Sequence, residues 1–167
     1  MKTKINHQTA ILLNYLTLIL LVLFSCISFD GKSQQVENPS FQVISTEVAV
    51  TVEGANKTLT WEKSKYKPVI LFVKMNCLID VELFAIDFVL SYYNESEQKW
   101  DRSTCQGLST MVSNPDDNVL IMIGKYANFK AKKGIRYFKV FFPIEPDIDK
   151  ISLMYAKPVV RDIQVTR

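Results

Sequence analysis

The chain has 167 residues, 48% of them hydrophobic, and its 20 Lys and Arg against 17 Asp and Glu give a net charge of +3. Lys2 and Lys4 precede an apolar run, so the rest of the chain holds 18 basic and 17 acidic residues, a net +1. This near neutrality argues against a nucleic-acid partner. The single histidine, His7, also precedes the run. The remainder therefore lacks a Ser-His-Asp triad, a Cys-His nucleophile and His-based metal sites.

Residues 1–29 have the pattern of a signal peptide or membrane anchor. A basic segment without acids precedes Ala10 to Phe29, where sixteen of twenty residues are apolar. Crossing a bilayer as an uncleaved anchor helix takes about 20 residues. Asn14 and Thr17 confine the strongly apolar part to Leu18 to Phe24, which favours removal of the leader. Either way, we expect an exported bacterial protein whose folded part lies in the periplasm, at the outer membrane or outside the cell.

A lipid anchor is one interpretation of the leader. Leu23-Phe24-Ser25-Cys26 resembles a bacterial lipobox, in which cleavage exposes a cysteine that carries lipid. Phe24 is larger than the residue usual at its position. Ordinary cleavage near Ser28 or after Ser33 is therefore the alternative to lipidation of Cys26. Residues 30–40 then form a polar tether.

Two cysteines remain beyond the leader, Cys77 and Cys105. In an oxidising compartment they could form a disulfide. Closing a separation of 28 residues would contribute about 3 to 4 kcal/mol of stability. The alternative is a pair of buried free thiols.

Residues 41–167 have the pattern of one all-β domain. Short β-branched and aromatic runs alternate with turn residues, and no apolar pattern of helical period extends over three turns. The runs that predict strands are 41–52, 57–63, 68–77, 81–93, 119–124, 134–144, 151–156 and 159–166. Five consecutive apolar residues, Val69 to Val73, predict a central strand. We expect a two-sheet antiparallel β-sandwich of seven to eight strands.

Alternation within these runs predicts which side chains share a face. The three predicted stripes are Val48, Val50 and Val52; Phe88, Leu90 and Tyr92; and Phe138, Val140, Phe142 and Ile144. Leu59 and Trp61 are also predicted to share a face.

Three segments carry a resemblance to a known family. They are the apolar run 69–73 that leads to Asn76, the segment 86–90 with its Asp-Phe-x-Leu pattern, and residues 134–155, in which a Gly begins an aromatic strand ending at Pro143, followed by an Asp-rich turn. In these segments the chain resembles the telokin-like, immunoglobulin-like domains of unknown function found in bacterial exported lipoproteins. The resemblance implies an immunoglobulin-like fold and an exported location. It implies no catalytic residues.

The stretch Lys125–Lys139 combines six cations with four aromatic residues and has no acid. Its cations are Lys125, Lys130, Lys132, Lys133, Arg136 and Lys139; its aromatic residues are Tyr126, Phe129, Tyr137 and Phe138. Such a mixture can contact an anionic surface such as phospholipid or lipopolysaccharide. The alternative is a hairpin with a solvated polar face and aromatic side chains in the core.

Carboxylates form the remaining candidate groups. Glu145, Asp147 and Asp149 alternate and could approach a Ca²⁺ ion, but Pro146 and Lys150 favour an ordinary polar turn. Asp80, Glu82 and Asp87 are the candidates for a hydrolase that works with carboxylates alone, which needs two such groups in one cleft. We expect no metal, no cofactor and no enzymatic activity.

The sequence therefore predicts a non-catalytic exported module that binds a partner or has a structural role in the cell envelope. Its partner would be a protein or glycan that meets a sheet face or the loop ends, with membrane contact through the anchor or lipid. The alternatives are a binder of membranes or anionic surfaces through Lys125–Lys139, and a carboxylate-only hydrolase.

Overall fold

A computed structural model describes residues 39–61 and 65–166. In these residues the chain forms thirteen β-strands and one turn of 3-10 helix, Ala85–Asp87. A five-stranded sheet has the order β1-β4-β11-β8-β9, with bounds Ser40–Val48, Lys67–Cys77, Gly134–Ile144, Gly107–Ser109 and Ile121–Ile123. A four-stranded sheet has the order β13-β12-β6-β7, with bounds Lys157–Gln164, Lys150–Tyr155, Phe88–Asn94 and Lys99–Thr104.

Two short strand pairs complete the architecture. One joins β2 (Thr51–Glu53) to β3 (Thr58–Thr60), and the other joins β5 (Val81–Phe84) to β10 (Asn128–Ala131). Every pairing between strands of the described residues is antiparallel. The predicted all-β class is confirmed.

The run Val69 to Val73 predicts a central strand, and β4 is an interior strand of the five-stranded sheet, paired with β1 on one side and with β11, the middle strand, on the other. Alternate residues of β4 and β11 are buried in the same core as alternate residues of β6 and β12 from the four-stranded sheet. The predicted stripes from Phe88 to Tyr92 and from Phe138 to Ile144 are buried there. Both sheets therefore depend on one apolar core.

Aromatic rings join the two sheets within this core. Phe88 of β6 packs against Phe138 of β11 with a centroid distance of 5.7 Å, and Phe41 of β1 lies edge-on to Phe88 at the same distance. The ring of Tyr155 in β12 lies 5.0 Å from that of Phe88. Phe88 thus contacts rings from three other strands, which makes it central to the packing of both sheets.

A smaller apolar cluster lies on the other face of the five-stranded sheet. Val52, Ile121, Ile123 and Phe141 are buried there, and Leu59 and Trp61 of the β2-β3 region pack against them, on the shared face predicted for this pair. Gly107 leaves room for this packing, because a Cβ at that position would lie 2.5 Å from Cε1 of Phe141.

The predicted strand 41–52 is two strands, and the stripe through Val48, Val50 and Val52 is wrong. The chain turns after β1, where the amide of Ala49 donates to the carbonyl of Pro68 and the carbonyl of Val50 accepts from Trp61. Val50 is exposed while Val52 is buried. A turn between two strands removes the alternation on which the prediction relied.

Residues 1–29, with Cys26, and most of the tether lie outside the described residues. Among residues 39–61 and 65–166, no helix is long and apolar enough to cross a membrane.

Candidate functional site

A groove of about 470 Å³ lies on the face of the four-stranded sheet that is turned away from the core. Tyr93 of β6 and Trp100 of β7 form its aromatic part, with ring centroids 5.7 Å apart in an edge-to-face arrangement. Trp100 is 69% exposed and Tyr93 is 44% exposed. Large exposed aromatic side chains in a concave surface are typical of binding sites.

The strand pattern places these rings on the outer face. Phe88, Leu90 and Tyr92 of β6 enter the core, so Ser91 and Tyr93 point the other way. Tyr93 pairs with Trp100 in the register of the β6-β7 hairpin. The sequence indicated the buried stripe but gave no role to Trp100, whose place in the groove depends on that register.

Polar side chains from β6, the β6-β7 loop, the β11-β12 loop, β12 and β13 line the groove with the two rings. The carboxylates at the groove are Glu95, Asp147, Asp149 and Asp162, and the other polar residues are Ser91, Lys150, Ser152 and Gln164. Nζ of Lys150 lies 3.7 Å from Oδ1 of Asp162. Aromatic faces beside carboxylates, hydroxyls and an amide can hold a ligand that presents apolar surface together with hydrogen-bond donors.

The predicted carboxylate set 145–149 is divided between two places. Asp147 and Asp149 lie at the groove, whereas Glu145 accepts a hydrogen bond from Nδ2 of Asn94 at 2.8 Å and lies 3.2 Å from Nζ of Lys65. The hydrogen bond with Glu145 raises the pKa of Lys65. Within the described ranges, no group of three or more His, Cys, Asp or Glu side chains could hold a metal ion.

The six cations of Lys125–Lys139 do not form one cluster. Lys125, Lys130, Lys132 and Lys133 are exposed, while Arg136 and Lys139 are half-buried on β11. Lys130 is on β10, opposite Glu82 of β5. The stretch thus divides between two sheets.

The aromatic residues of this stretch also separate. Phe138 is in the main core, Tyr137 stacks on Phe72 with centroids 5.9 Å apart, and Phe129 packs against the core. Tyr126 is exposed, and Nζ of Lys125 lies 5.0 Å from its ring centroid. Three of the four aromatic side chains therefore pack within the domain.

The candidate carboxylates Asp80, Glu82 and Asp87 are spread along β5. Asp80 precedes β5 and Asp87 follows it, and four residues of strand span about 13 Å. Nζ of Lys132 lies 2.7 Å from a carboxylate oxygen of Asp80, whose other oxygen accepts from the amide of Lys133. Both contacts lower the pKa of Asp80, and the hydrogen bond from Lys132 has the larger effect.

The disulfide interpretation of Cys77 and Cys105 is not compatible with this fold. Both are free, buried thiols. Cys77 pairs with Gly134 at one end of β11, while the amide of Gln106, next to Cys105, donates to Phe141 of the same strand. Seven residues of strand separate these points by about 23 Å, and a disulfide needs Cα atoms within about 7 Å.

The chain has no match among family models, curated proteins or solved structures.

Proposed function

We propose that this chain is a non-catalytic, exported module of immunoglobulin-like fold that binds a protein or glycan of the bacterial cell envelope. The observation that carries the proposal is the groove with the exposed rings of Tyr93 and Trp100. Trp and Tyr, with Arg, are enriched among the residues that dominate binding energy. A groove of this volume is in the range of ligand sites.

Strand order supports the immunoglobulin-like assignment. Immunoglobulin domains have strands A, B, E and D in one sheet and C, F and G in the other. Here β1, β4, β11 and β8 occupy the positions of A, B, E and D, and β6, β12 and β13 those of C, F and G, with β7 as C′. The pairs β2-β3 and β5-β10, and strand β9, are then additions to that framework.

Contacts between the two sheets also favour a sandwich. The hydroxyl of Ser103 in the edge strand β7 donates to the carbonyl of Pro143 in β11 at 2.6 Å. Between the edge strands β1 and β13, the hydroxyl of Thr46 donates to the carbonyl of Gln164 at 3.1 Å. Phe88, at the start of strand C, contributes the aromatic packing that a Trp provides in antibody domains.

Export and attachment to the envelope are proposed from the leader. Its basic and apolar segments, and the lipobox-like Leu23 to Cys26, support secretion with either a lipid or an uncleaved helix as the anchor. The family resemblance agrees with this location.

The experiment compares two exposed aromatic side chains at different places. Trp100 and Tyr126 are each 69% exposed, so Tyr126→Ala is a matched control for Trp100→Ala. The full chain, purified in detergent, is titrated with soluble peptidoglycan fragments and with lipopolysaccharide oligosaccharides. A photo-crosslinking amino acid at position 100 or 126 captures protein partners in living cells.

We expect Trp100→Ala to weaken binding at least tenfold, about 1.4 kcal/mol, and Tyr126→Ala to leave it unchanged. For a protein partner, the crosslink should form from position 100 and not from position 126. Binding that is equally sensitive to both substitutions would contradict the groove as the site. An absence of any glycan or crosslinked partner would contradict a binding function.

A second candidate is contact with an anionic surface through Lys125–Lys139. One observation favours it: Lys132 and Lys133 are exposed in a loop beside the exposed apolar residues Leu78 and Ile79. The hydrolase alternative has no comparable support, because Asp80 precedes β5 and Asp87 lies beyond its other end.

A further inference from the structure

One end of the five-stranded sheet presents adjacent apolar side chains to water. Leu78 and Ile79, in the loop between β4 and β5, are each 49% exposed. Exposure of these two apolar side chains to water is unfavourable. Their transfer to an apolar environment would lower the free energy of the domain.

Cations lie beside these two residues. Lys132 and Lys133 form the loop between β10 and β11, and their contacts with Asp80 hold this loop against the one that carries Leu78 and Ile79. The guanidinium of Arg136 donates to the carbonyls of Ile135 and Lys133.

The balance of charge at this end is positive. Among the described residues of this end, the three cations Lys132, Lys133 and Arg136 lie near one carboxylate, that of Asp80, a net +2. Farther along, Lys130 and Glu82 lie opposite each other and cancel. Apolar side chains next to a positive charge complement an anionic lipid surface, because cations contact headgroups while apolar groups enter the acyl boundary.

The same end receives the chain from its N-terminal segment. Ser40, the first residue of β1, pairs with Asn76, and Gly134, the first residue of β11, pairs with Cys77. The strand β1 thus begins beside Asn76, two residues before Leu78. The predicted tether, residues 30–40, spans at most about 40 Å when fully extended.

We propose that this end of the domain faces the membrane, with Leu78 and Ile79 inserted into an anionic bilayer and Lys132 and Lys133 in contact with its headgroups. The inference rests on the proposed attachment through the leader. It leaves the groove with Trp100 and the loop-tip surface as separate sites, one for a ligand and one for lipid.

The test measures how close two positions come to lipid in the full chain. Ile79→Trp probes the proposed surface, with Leu78→Trp as a second variant in case the first fails to fold. Val50→Trp is the control, because Val50 is also exposed and follows Val48, which pairs with Val69 at the far end of β4. Each chain is reconstituted into vesicles of phosphatidylcholine and phosphatidylglycerol that carry bromine on the acyl chains, which quenches nearby tryptophan.

We expect the fluorescence added by Ile79→Trp to be quenched at least about twofold more strongly than that added by Val50→Trp, as for side chains that enter the acyl boundary. Replacing Lys132 and Lys133 by Gln, or using phosphatidylcholine alone, should reduce the quenching at position 79. Circular dichroism confirms that each variant is folded.

Flotation of the vesicles separates the two ideas under test. A chain that does not float with the vesicles would contradict the proposed attachment and the orientation with it. A chain that floats while positions 79 and 50 are quenched equally, or not at all, would overturn the orientation alone. Quenching that is strong but indifferent to lipid charge would overturn the role of the lysines.

Discussion

The Cys105 thiol is fully buried, and its hydrogen is donated to the carbonyl of Gly107 at 2.9 Å. Burial is the main cause that raises its pKa to about 12. The raised pKa means that the neutral thiol persists well above the pH at which a free cysteine ionises. Since the thiolate is the reacting form, the Cys105 thiol should be unreactive in the folded chain.

We therefore predict that Cys105 of the folded chain does not react with a maleimide at about pH 8, near the usual pKa of a cysteine. The chain carries Cys26→Ser to remove the leader thiol, and peptide mass spectrometry locates the label. In guanidinium chloride Cys105 should become labelled, which serves as the control. Labelling of Cys105 in the native state at the rate seen in denaturant would show that the site opens readily.

Residue burial was predictable wherever a strand runs without interruption. The alternation through Phe88, Leu90 and Tyr92 matches the structure because β6 is regular over its length. Val50 was not predictable, because the turn beside it contains neither Gly nor Pro and resembles a continuing strand.

At the scale of elements, the β6-β7 hairpin carries both rings of the groove, and Asn94 fixes its turn. Asn94 is buried, its Nδ2 donates to Glu145, and its Oδ1 accepts from the hydroxyl of Ser96 at 2.7 Å and from the amide of Glu97 at 3.2 Å. These contacts hold the chain where it leaves Tyr93 and turns towards Trp100.

Asn94→Ala should lower the free energy of unfolding by about 1 to 3 kcal/mol, because buried hydrogen-bond partners lose their contacts. It should also weaken ligand binding, since the turn sets the position of Trp100. The measurement is urea unfolding, with Asn118→Ala at an exposed loop position as the matched control. Equal midpoints for the two variants would mean that the Asn94 contacts do not stabilise the hairpin.

The strands that the sequence pattern missed are β7, which has six residues, and the shorter β8 and β10. The strands β8 and β10 have three and four residues, and each forms by pairing with a strand that is distant in sequence or across a loop. Local pattern carries little information about such strands, because their hydrogen bonds are set by the surrounding sheet. The groove was missed for the same reason, since it needs residues from β6, β7, β12 and β13 together.

At the scale of the whole molecule, the two large sheets share one core. The order of strands within each sheet depends on pairing between segments that are far apart in sequence. The sequence pattern predicted an all-β chain and a central β4, but the neighbours of β11 are β4 and β8, which precede it by dozens of residues. Because residues of both sheets form one core, neither sheet buries its inner face without the other. The strands of each sheet also pair over long sequence separations, so the sheets form only when distant parts of the chain meet. Unfolding should therefore be a single cooperative event.

Two tryptophans allow that expectation to be measured in each part of the domain. Trp61 packs against Phe141 on the five-stranded sheet, with ring centroids 5.9 Å apart, and Trp100 lies on the four-stranded sheet. In denaturant, a Trp100→Phe chain reports Trp61 alone and a Trp61→Phe chain reports Trp100 alone. For each chain we expect the fluorescence transition to coincide with its own circular dichroism transition.

Phe88→Ala tests whether the shared core is the cause of this coupling. Its ring contacts rings on three other strands, so its removal should lower the free energy of unfolding by about 3 to 5 kcal/mol. Because both sheets lose the same contacts, both tryptophan signals should move together. Phe84→Ala, at a partly exposed ring on β5, should change stability by less than about 1 kcal/mol. Separate midpoints for Trp61 and Trp100 in the Phe88→Ala chain would mean that the sheets are stabilised independently, and that the core between them does not hold the domain as one unit.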